Sequence, residues 1–296
     1  MLCCLFAVQA KQAYCLTLVD HDGVTHTFDE PFKRIISLYP AHTENLVEMG
    51  GSDTLIGIST SDNYPASILE KPRYSFRDTV EKFIAARPDC ILIRPMIRNS
   101  AANLVKKLEE FGITVISLQP TSGTELYSYW KKLGMISGYH SEASQMSEMF
   151  RHRLAELSRK VDAIPLSSRP RVYFEAIHSR MKTFSPQAIA IFCLESAGGI
   201  NVAADAVPRN NTNIASYGKE RILSHAQTID VYLAQSGRMN RITIDEIVSE
   251  SGFAAIKAVS NNRVYVIEEN LVSRPTTRLI DGMWQINRLL FQKMIR

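Results

Sequence analysis

The sequence predicts an α/β protein of two similar lobes with mostly parallel sheets, joined by one long rigid helix, with a ligand cleft between the lobes. Three observations carry this prediction. Short, continuous apolar runs alternate with amphipathic segments along the chain, the pattern of strands covered on both faces by crossover helices. At the midpoint, Ser141 to Ile164 keeps one apolar stripe through Ala143, Met146, Phe150, Leu154, Leu157, Val161 and Ile164 with no Gly or Pro inside it. The two halves also repeat: each opens with a strand, loop and helix ended by a Gly-Gly pair, and each later places an acidic-basic pair nine residues before an apolar strand.

Taken in order, residues 1–15 read as a residual signal or N-terminal segment. MLCCLFAVQA is apolar and ends on the small residues a signal peptidase favours, although no charged region precedes it. Leu16 to Val19 and Thr25 to Phe28 flank Asp22-Gly23 and predict a hairpin. In the first lobe, residues 16–140, strands are expected at Arg34 to Leu38, Leu55 to Ser59, Cys90 to Ile93 and Ile113 to Leu118. After the first strand, Tyr39 to His42 is expected as a loop leading into a short helix ended by Gly50-Gly51, and further helices are expected from a cap at Asp78 to Pro88, over Ala101 to Phe111 and over Thr124 to Ile136. Residues 141–164 form the connecting helix, roughly 35 Å long at 1.5 Å per residue, with Ser141 as its N-cap and Pro165 as its stop. The second lobe, 165–296, opens on strand Arg171 to Ile177, a loop from His178 to Phe184, and a helix that Ser185-Pro186 begins. Further strands are expected at Ile229 to Leu233 and Val264 to Ile267, with helices near Lys219 to His225, Thr243 to Glu250 and Thr276 to Ile295.

Composition excludes several classes. A net charge of +4, from 34 basic and 30 acidic residues dispersed along 296, gives no nucleic-acid footprint. After the first ten residues no apolar stretch is long enough to span a membrane. The five cysteines form no disulfide framework: Cys3 and Cys4 lie in the signal-like segment, Cys15 lacks the small-residue context of an acylated cysteine, and Cys90 and Cys193 sit in apolar runs as small hydrophobes. Catalytic motifs for acyl transfer, phosphate cradling, dinucleotides, zinc hydrolysis and dithiol chemistry are absent. Glu148 and His152, four apart on the long helix, are read as a solvent-facing pair, since two ligands do not make a metal site. His21 and His26 flank the hairpin and are expected to be exposed.

RIISLYPAHTENLVEMG, followed in order by LIGISTSDNYP, VEKFIAARPDCILI, LEEFGITVISL, RPRVYFE, SAGGINVAAD, AAIKAVSNNRVYVI and SRPTTRLIDGMW, resembles the class III substrate-binding proteins of ABC importers. That group captures cobalamin, ferric siderophores and haem. The resemblance implies a non-enzymatic, periplasmic receptor, cell-surface if anchored. It would be a monomer that takes no cofactor of its own, captures a small-molecule metal chelate and delivers it to an ABC permease dimer. Glu81 and Glu220 match the family's rim glutamates that pair with permease arginines, a role that competes with each simply pairing with its neighbouring base on a solvated helix. For the ligand, the resemblance and the predicted sheet edge together point to Tyr39, His42, Tyr64, Arg77, Arg94, His178, Lys182, Arg274 and Arg278. Aromatic faces with cationic donors suit a large or anionic chelate, a ferric siderophore first, then a corrinoid, then haem. Tyr39 and His42 stand where the family usually has a serine-proline segment. The rival class is an enzyme, a two-lobed metal chelatase using His42 or His178.

Overall fold

The computed structural model describes residues 16–208 and 212–292. The signal-like segment with Cys3, Cys4 and Cys15 lies outside the described residues. Two compact units are present, one of residues up to 118 with 132–140, the other of 119–131 with 141 onward.

In the first unit, β1 (Leu16–Val19) and β2 (Thr25–Phe28) form the antiparallel hairpin, turned at Gly23 with φ +80°, a conformation glycine adopts without steric cost. His26 is not exposed as the sequence suggested: its Nε2 lies 3.1 Å from the buried Asp20 Oδ2. The main sheet contains β3 (Ile35–Ser37), β4 (Leu55–Ser59), β5 (Arg73–Tyr74), β6 (Cys90–Ile93) and β7 (Thr114–Ser117). All pairings in it are parallel, in the order β5-β4-β3-β6-β7. Four helices lie between these strands in sequence: α1 (Pro40–Glu48), α2 (Val80–Ala86), α3 (Pro95–Ser100) and α4 (Ala102–Glu110). Ile36, Phe83, Ile91, Ile93, Ile97, Val105 and Leu108 interlock as one apolar cluster. Thr79, not Asp78, is the cap residue of α2; Asp78 instead accepts from the Ser75 N–H at 2.8 Å.

Helix α5 (Leu126–Ser137) is shared between the units, and α6 (His140–Asp162) runs unbroken for 23 residues. The sequence treats 141–164 as a segment of its own, whereas all of α6 after His140 clusters with the second unit. Phe150 of its buried stripe packs edge-on against Trp130 at 5.1 Å, and on its exposed face Arg153 pairs with Asp281 at 2.7 Å. Helix α6 begins one residue before the expected cap, and Ile164 falls beyond its end. His152 pairs with Glu156 at 3.6 Å, on the exposed face.

The second sheet is mixed. β8 (Arg171–Ile177) lies at its centre. β9 (Lys182–Phe184) and β11 (Ile214–Ser216) continue antiparallel on one side, while β12 (Val231–Ser236) and β13 (Val264–Glu268) continue parallel on the other. β10 (Ile200–Asn201) pairs with β8 as well. The remaining helices are α7 (Ile189–Ser196), α8 (Lys219–Ser224), α9 (Ile244–Val248), α10 (Lys257–Ser260), α11 (Glu269–Val272) and α12 (Leu279–Phe291). Two expectations fail here. His178 to Phe184 is not a loop, because a tight turn through Met181 at φ +46° returns the chain as β9. Ser185-Pro186 forms a turn, with Ala188 N–H donating to the Ser185 carbonyl, and α7 starts three residues after Pro186.

Candidate functional site

In an open parallel sheet the loops diverge where successive connections leave toward opposite sides, and ligands bind outside the strand carboxyl ends at that point. In the first sheet that point lies between β3 and β6, since the chain proceeds from β3 out to β4 and β5 and returns to β6 on the other flank. Tyr39 follows β3 and Arg94 follows β6, and the structure brings them together: the Arg94 guanidinium stands 5.0 Å from the Tyr39 ring centre. Both are half-buried and each occupies the cap position of a helix with proline at its start. The two side chains offer an aromatic face and a fixed cation, a pair that stacks on flat groups and donates to anions. Tyr64 is 45% exposed beyond β4, ahead of a cis Pro65, and Arg77 is exposed after β5 with its guanidinium 5.6 Å from the Phe76 ring.

His42 does not belong to this surface. Pro40 begins α1 directly off the strand, so His42 falls in the first turn facing the sheet, fully buried, with its Nε2 3.0 Å from the Ile93 carbonyl. Burial drives its pKa down to about 3; the Ile93 carbonyl opposes the shift, while the Arg94 and His21 charges add to it. A neutral imidazole with one nitrogen tied to backbone cannot touch a ligand, but it packs edge-on under the Tyr39 ring at 5.1 Å and so supports it.

The second sheet has the equivalent point between β8 and β12. His178 follows β8, and its N–H donates to the Asn240 Oδ1 in the loop after β12 at 2.9 Å. Around them opens a cavity of about 490 Å³ lined by His178, Ser179, Asn240, Arg241, Glu246 and Glu250, among others. His178 Nδ1 donates to the fully buried Glu175 at 2.8 Å, and that hydrogen bond raises the imidazole pKa above its ordinary value against the opposing effect of burial. Tyr232 hydroxyl donates to the same Glu175 oxygen. Lys182, expected in a loop, is the first residue of β9, paired with Ser216 in the ladder. Arg274 and Arg278 are half-buried between α11 and α12; between them the Pro275 carbonyl accepts from the Trp130 indole at 3.4 Å. A further cavity of about 460 Å³ is lined by Thr121, Ser185, Gln187, Val207 and Asn213. Sequence reasoning missed Glu175, Asn240 and Glu250, which sit in unremarkable strand and helix patterns and acquire meaning only from what they touch.

Glu81 and Glu220 occupy the same structural position in their units. Each is the second residue of a short helix, α2 or α8, that leads into the strand parallel to the first of its sheet. Both are exposed. Neighbouring bases are engaged elsewhere: Lys82 bonds Asp78 at 2.7 Å, and Arg221 bonds Asp205. Its own backbone N–H and the Thr79 hydroxyl hold the Glu81 carboxyl below the usual glutamate range, so it stays an acceptor.

Among the described residues no helix is long and apolar enough to cross a membrane, and no cluster of three or more His, Cys, Asp or Glu could hold a metal. Comparison with known proteins gives consistent relatives. The chain is 23% identical to an ABC transporter substrate-binding lipoprotein of Bacillus subtilis, over 96% of this chain and 88% of that one. It is 26% identical to a vitamin B12-binding protein of Vibrio cholerae, over 86% of this chain and 88% of that one. A solved structure, of a possible iron-binding periplasmic solute-binding protein from Staphylococcus epidermidis, superposes with a TM-score of 0.77 at 25% identity, over 89% of this chain and all of that one. These relatives are binding proteins, which removes the chelatase alternative. With residues 35–271 matching its family profile, the chain belongs to the periplasmic binding protein family and is an extracytoplasmic binding protein, not an enzyme.

Proposed function

We propose that this protein captures a metal chelate and presents it to an ABC permease, with Glu81 and Glu220 as the docking carboxylates. The observation that carries the docking half is their equivalence: two exposed glutamates at the same helix position, each beside a base already committed to another carboxylate. Carboxylates repeated on two similar units suit a dimeric partner that offers arginines twice. Similarity to the Bacillus subtilis transporter lipoprotein supports the same reading.

For the ligand, a corrinoid is the first choice, supported by similarity to the vitamin B12-binding protein of Vibrio cholerae and by the aromatic faces of Tyr39 and Tyr64. Ferric siderophore is the second reading, favoured by the cation that Arg94 holds over Tyr39. Tyr39, Tyr64, Arg77 and Arg94 would act from the first unit, and His178, Lys182, Arg274 and Arg278 from the second. Buried His42 would act by holding Tyr39.

Calorimetric titration with cyanocobalamin, a ferric trihydroxamate and haemin tests the reading, with tryptophan fluorescence as a second signal. Trp130 reports on the Arg274 to Arg278 segment through its bond to Pro275. Stoichiometric binding of cyanocobalamin, weakened at least about tenfold (about 1.4 kcal/mol) by Tyr39→Ala, is expected. Tight binding of the trihydroxamate alone would reverse the ligand order, and binding of none of the three would refute the chelate reading.

A further inference from the structure

A run of alternating charge crosses the second unit from its sheet to α8; it passes through His178, proposed above for the ligand, and continues through Glu250 and Lys219, which are not. Glu175 is fully buried in β8, and its Oε1 has no hydrogen-bond partner. Its other oxygen accepts from His178 Nδ1 and from the Tyr232 hydroxyl. On the far side of the ring, His178 Nε2 lies 3.6 Å from Glu250 Oε2, just beyond α9. Glu250 Oε1 in turn accepts from Lys219 Nζ at 2.6 Å. Lys219 is the first residue of α8, and the next residue is Glu220. The relay therefore ties β8, the segment after α9 and the docking helix into one chain of contacts.

We propose that Glu175, His178, Glu250 and Lys219 form a relay that positions helix α8, so that the protonation state of His178 sets how firmly Glu220 is presented. This rests on the reading of Glu220 as a docking residue. His178 is a positioning residue: it touches neither partner nor docking carboxylate. With the imidazole doubly protonated, the carboxylates on either side are both bridged, and Glu250 remains fixed to accept from Lys219. Once the ring loses its proton, Nε2 has nothing to donate to Glu250 and that side of the bridge is repulsive or water-filled, so Lys219 holds α8 to a less constrained Glu250, beside the Arg221–Asp205 pair and the buried Ile222. α8 has only six residues, too short to hold itself in helical form without tertiary support.

The groups facing His178 from each neighbouring element set its response. Glu175 faces it from its own strand, and Tyr232 from β12 remains a neutral donor because burial, then Glu175, pushes its pKa well up. Glu246 and Glu250 face it from α9 and the residues after it, Asn240 and Arg241 line the same cavity, and the Phe253 ring packs edge-on at 6.2 Å. The Glu175 hydrogen bond chiefly, and the charges of Glu175, Glu250 and Glu246 beside it, favour the charged ring against burial.

The test uses the whole protein and two readouts. Histidine side-chain NMR follows His178 between pH 5.5 and 8.5, and hydrogen exchange with mass spectrometry follows the backbone of 219–224, corrected for intrinsic rates, with 80–86 in α2 as the internal reference. Expected for the unaltered protein are a His178 midpoint above 6.5 and about a tenfold loss of protection in α8 as pH passes that midpoint, with α2 unchanged. Glu175→Gln is expected to lower the midpoint by about one unit, tenfold in the protonation constant. In Lys219→Met, which alters no buried group and so bypasses any folding failure of the first variant, His178 still titrates but protection in α8 is low at every pH. Protection in α8 that follows pH identically in Lys219→Met and the unaltered protein would overturn the proposal. So would a His178 midpoint at or below 6.5. Glu220→Gln should leave both readouts unchanged while weakening permease binding if the docking reading holds; intact permease binding with a working relay would refute docking alone.

Discussion

Each unit carries a histidine close behind the first strand of its main sheet, His42 after β3 and His178 after β8, and the two have opposite electrostatics. His42 is fully buried against a carbonyl, so desolvation wins, the Arg94 and His21 charges add to it, and the ring is neutral, with a pKa of about 3. His178 faces a buried carboxyl at 2.8 Å, and the hydrogen bond wins over burial. Depth and partner together decide the sign: His42 is fully buried beside a carbonyl, whereas His178 is only partly buried and has a carboxyl as its partner. One neutral ring braces Tyr39 in an all-parallel sheet; the other, charged more readily, sits in a mixed sheet at the mouth of a polar cavity.

The largest expected effect tests the first histidine. His42→Ala removes a buried ring and one of the two hydrogen bonds to the Ile93 carbonyl, which still accepts from the Leu118 N–H at 2.9 Å, so urea denaturation should show a loss of about 2–4 kcal/mol, mostly from the cavity. His42→Phe should recover part of it, since volume returns but the hydrogen bond does not.

The pH dependence of stability should separate the two rings by sign. For His42 the folded pKa lies below the unfolded one, so between pH 6.5 and about 3 the unfolded chain binds the extra proton, and stability falls as pH falls. The expected slope is about 1.4 kcal/mol per pH unit at most, and it should vanish in His42→Phe. For His178 the folded pKa is raised, so its contribution is complete below pH 6.5 and is lost as pH rises through the folded value. Denaturant melts of the two histidine variants across this range check both signs; slopes of the same sign would break the comparison. A smaller effect sharpens it at the cavity rim. Thr243 and Glu246 form a complete capping box at the start of α9, and Thr243→Ala should cost about 1 kcal/mol and loosen the helix that supplies Glu246 and leads to Glu250.

How legible this was in the sequence follows the range of the interactions. Cys90–Ile93 and Arg171–Ile177 have the strand bounds that their apolar runs announce, because a strand covered on both faces needs little beyond its own residues to declare itself. The equivalent placement of Glu81 and Glu220, each second in its helix, was legible through the repeat. His42 was misplaced because Pro40 starts the helix one residue after Tyr39, turning an expected loop into a buried turn. Lys182 was misplaced because a left-handed Met181 makes a hairpin without the glycine that would signal one. The relay joins residues such as Lys219 and Glu250, 31 apart in the chain, and no local pattern encodes a pairing of that range.

Measuring complex formation between this protein and its cognate permease in lipid nanodiscs, with Glu81→Arg and Glu220→Arg combined, tests the central claim most directly. The account predicts that the double reversal leaves cyanocobalamin binding in solution unchanged and abolishes the complex. A complex of undiminished affinity would contradict it.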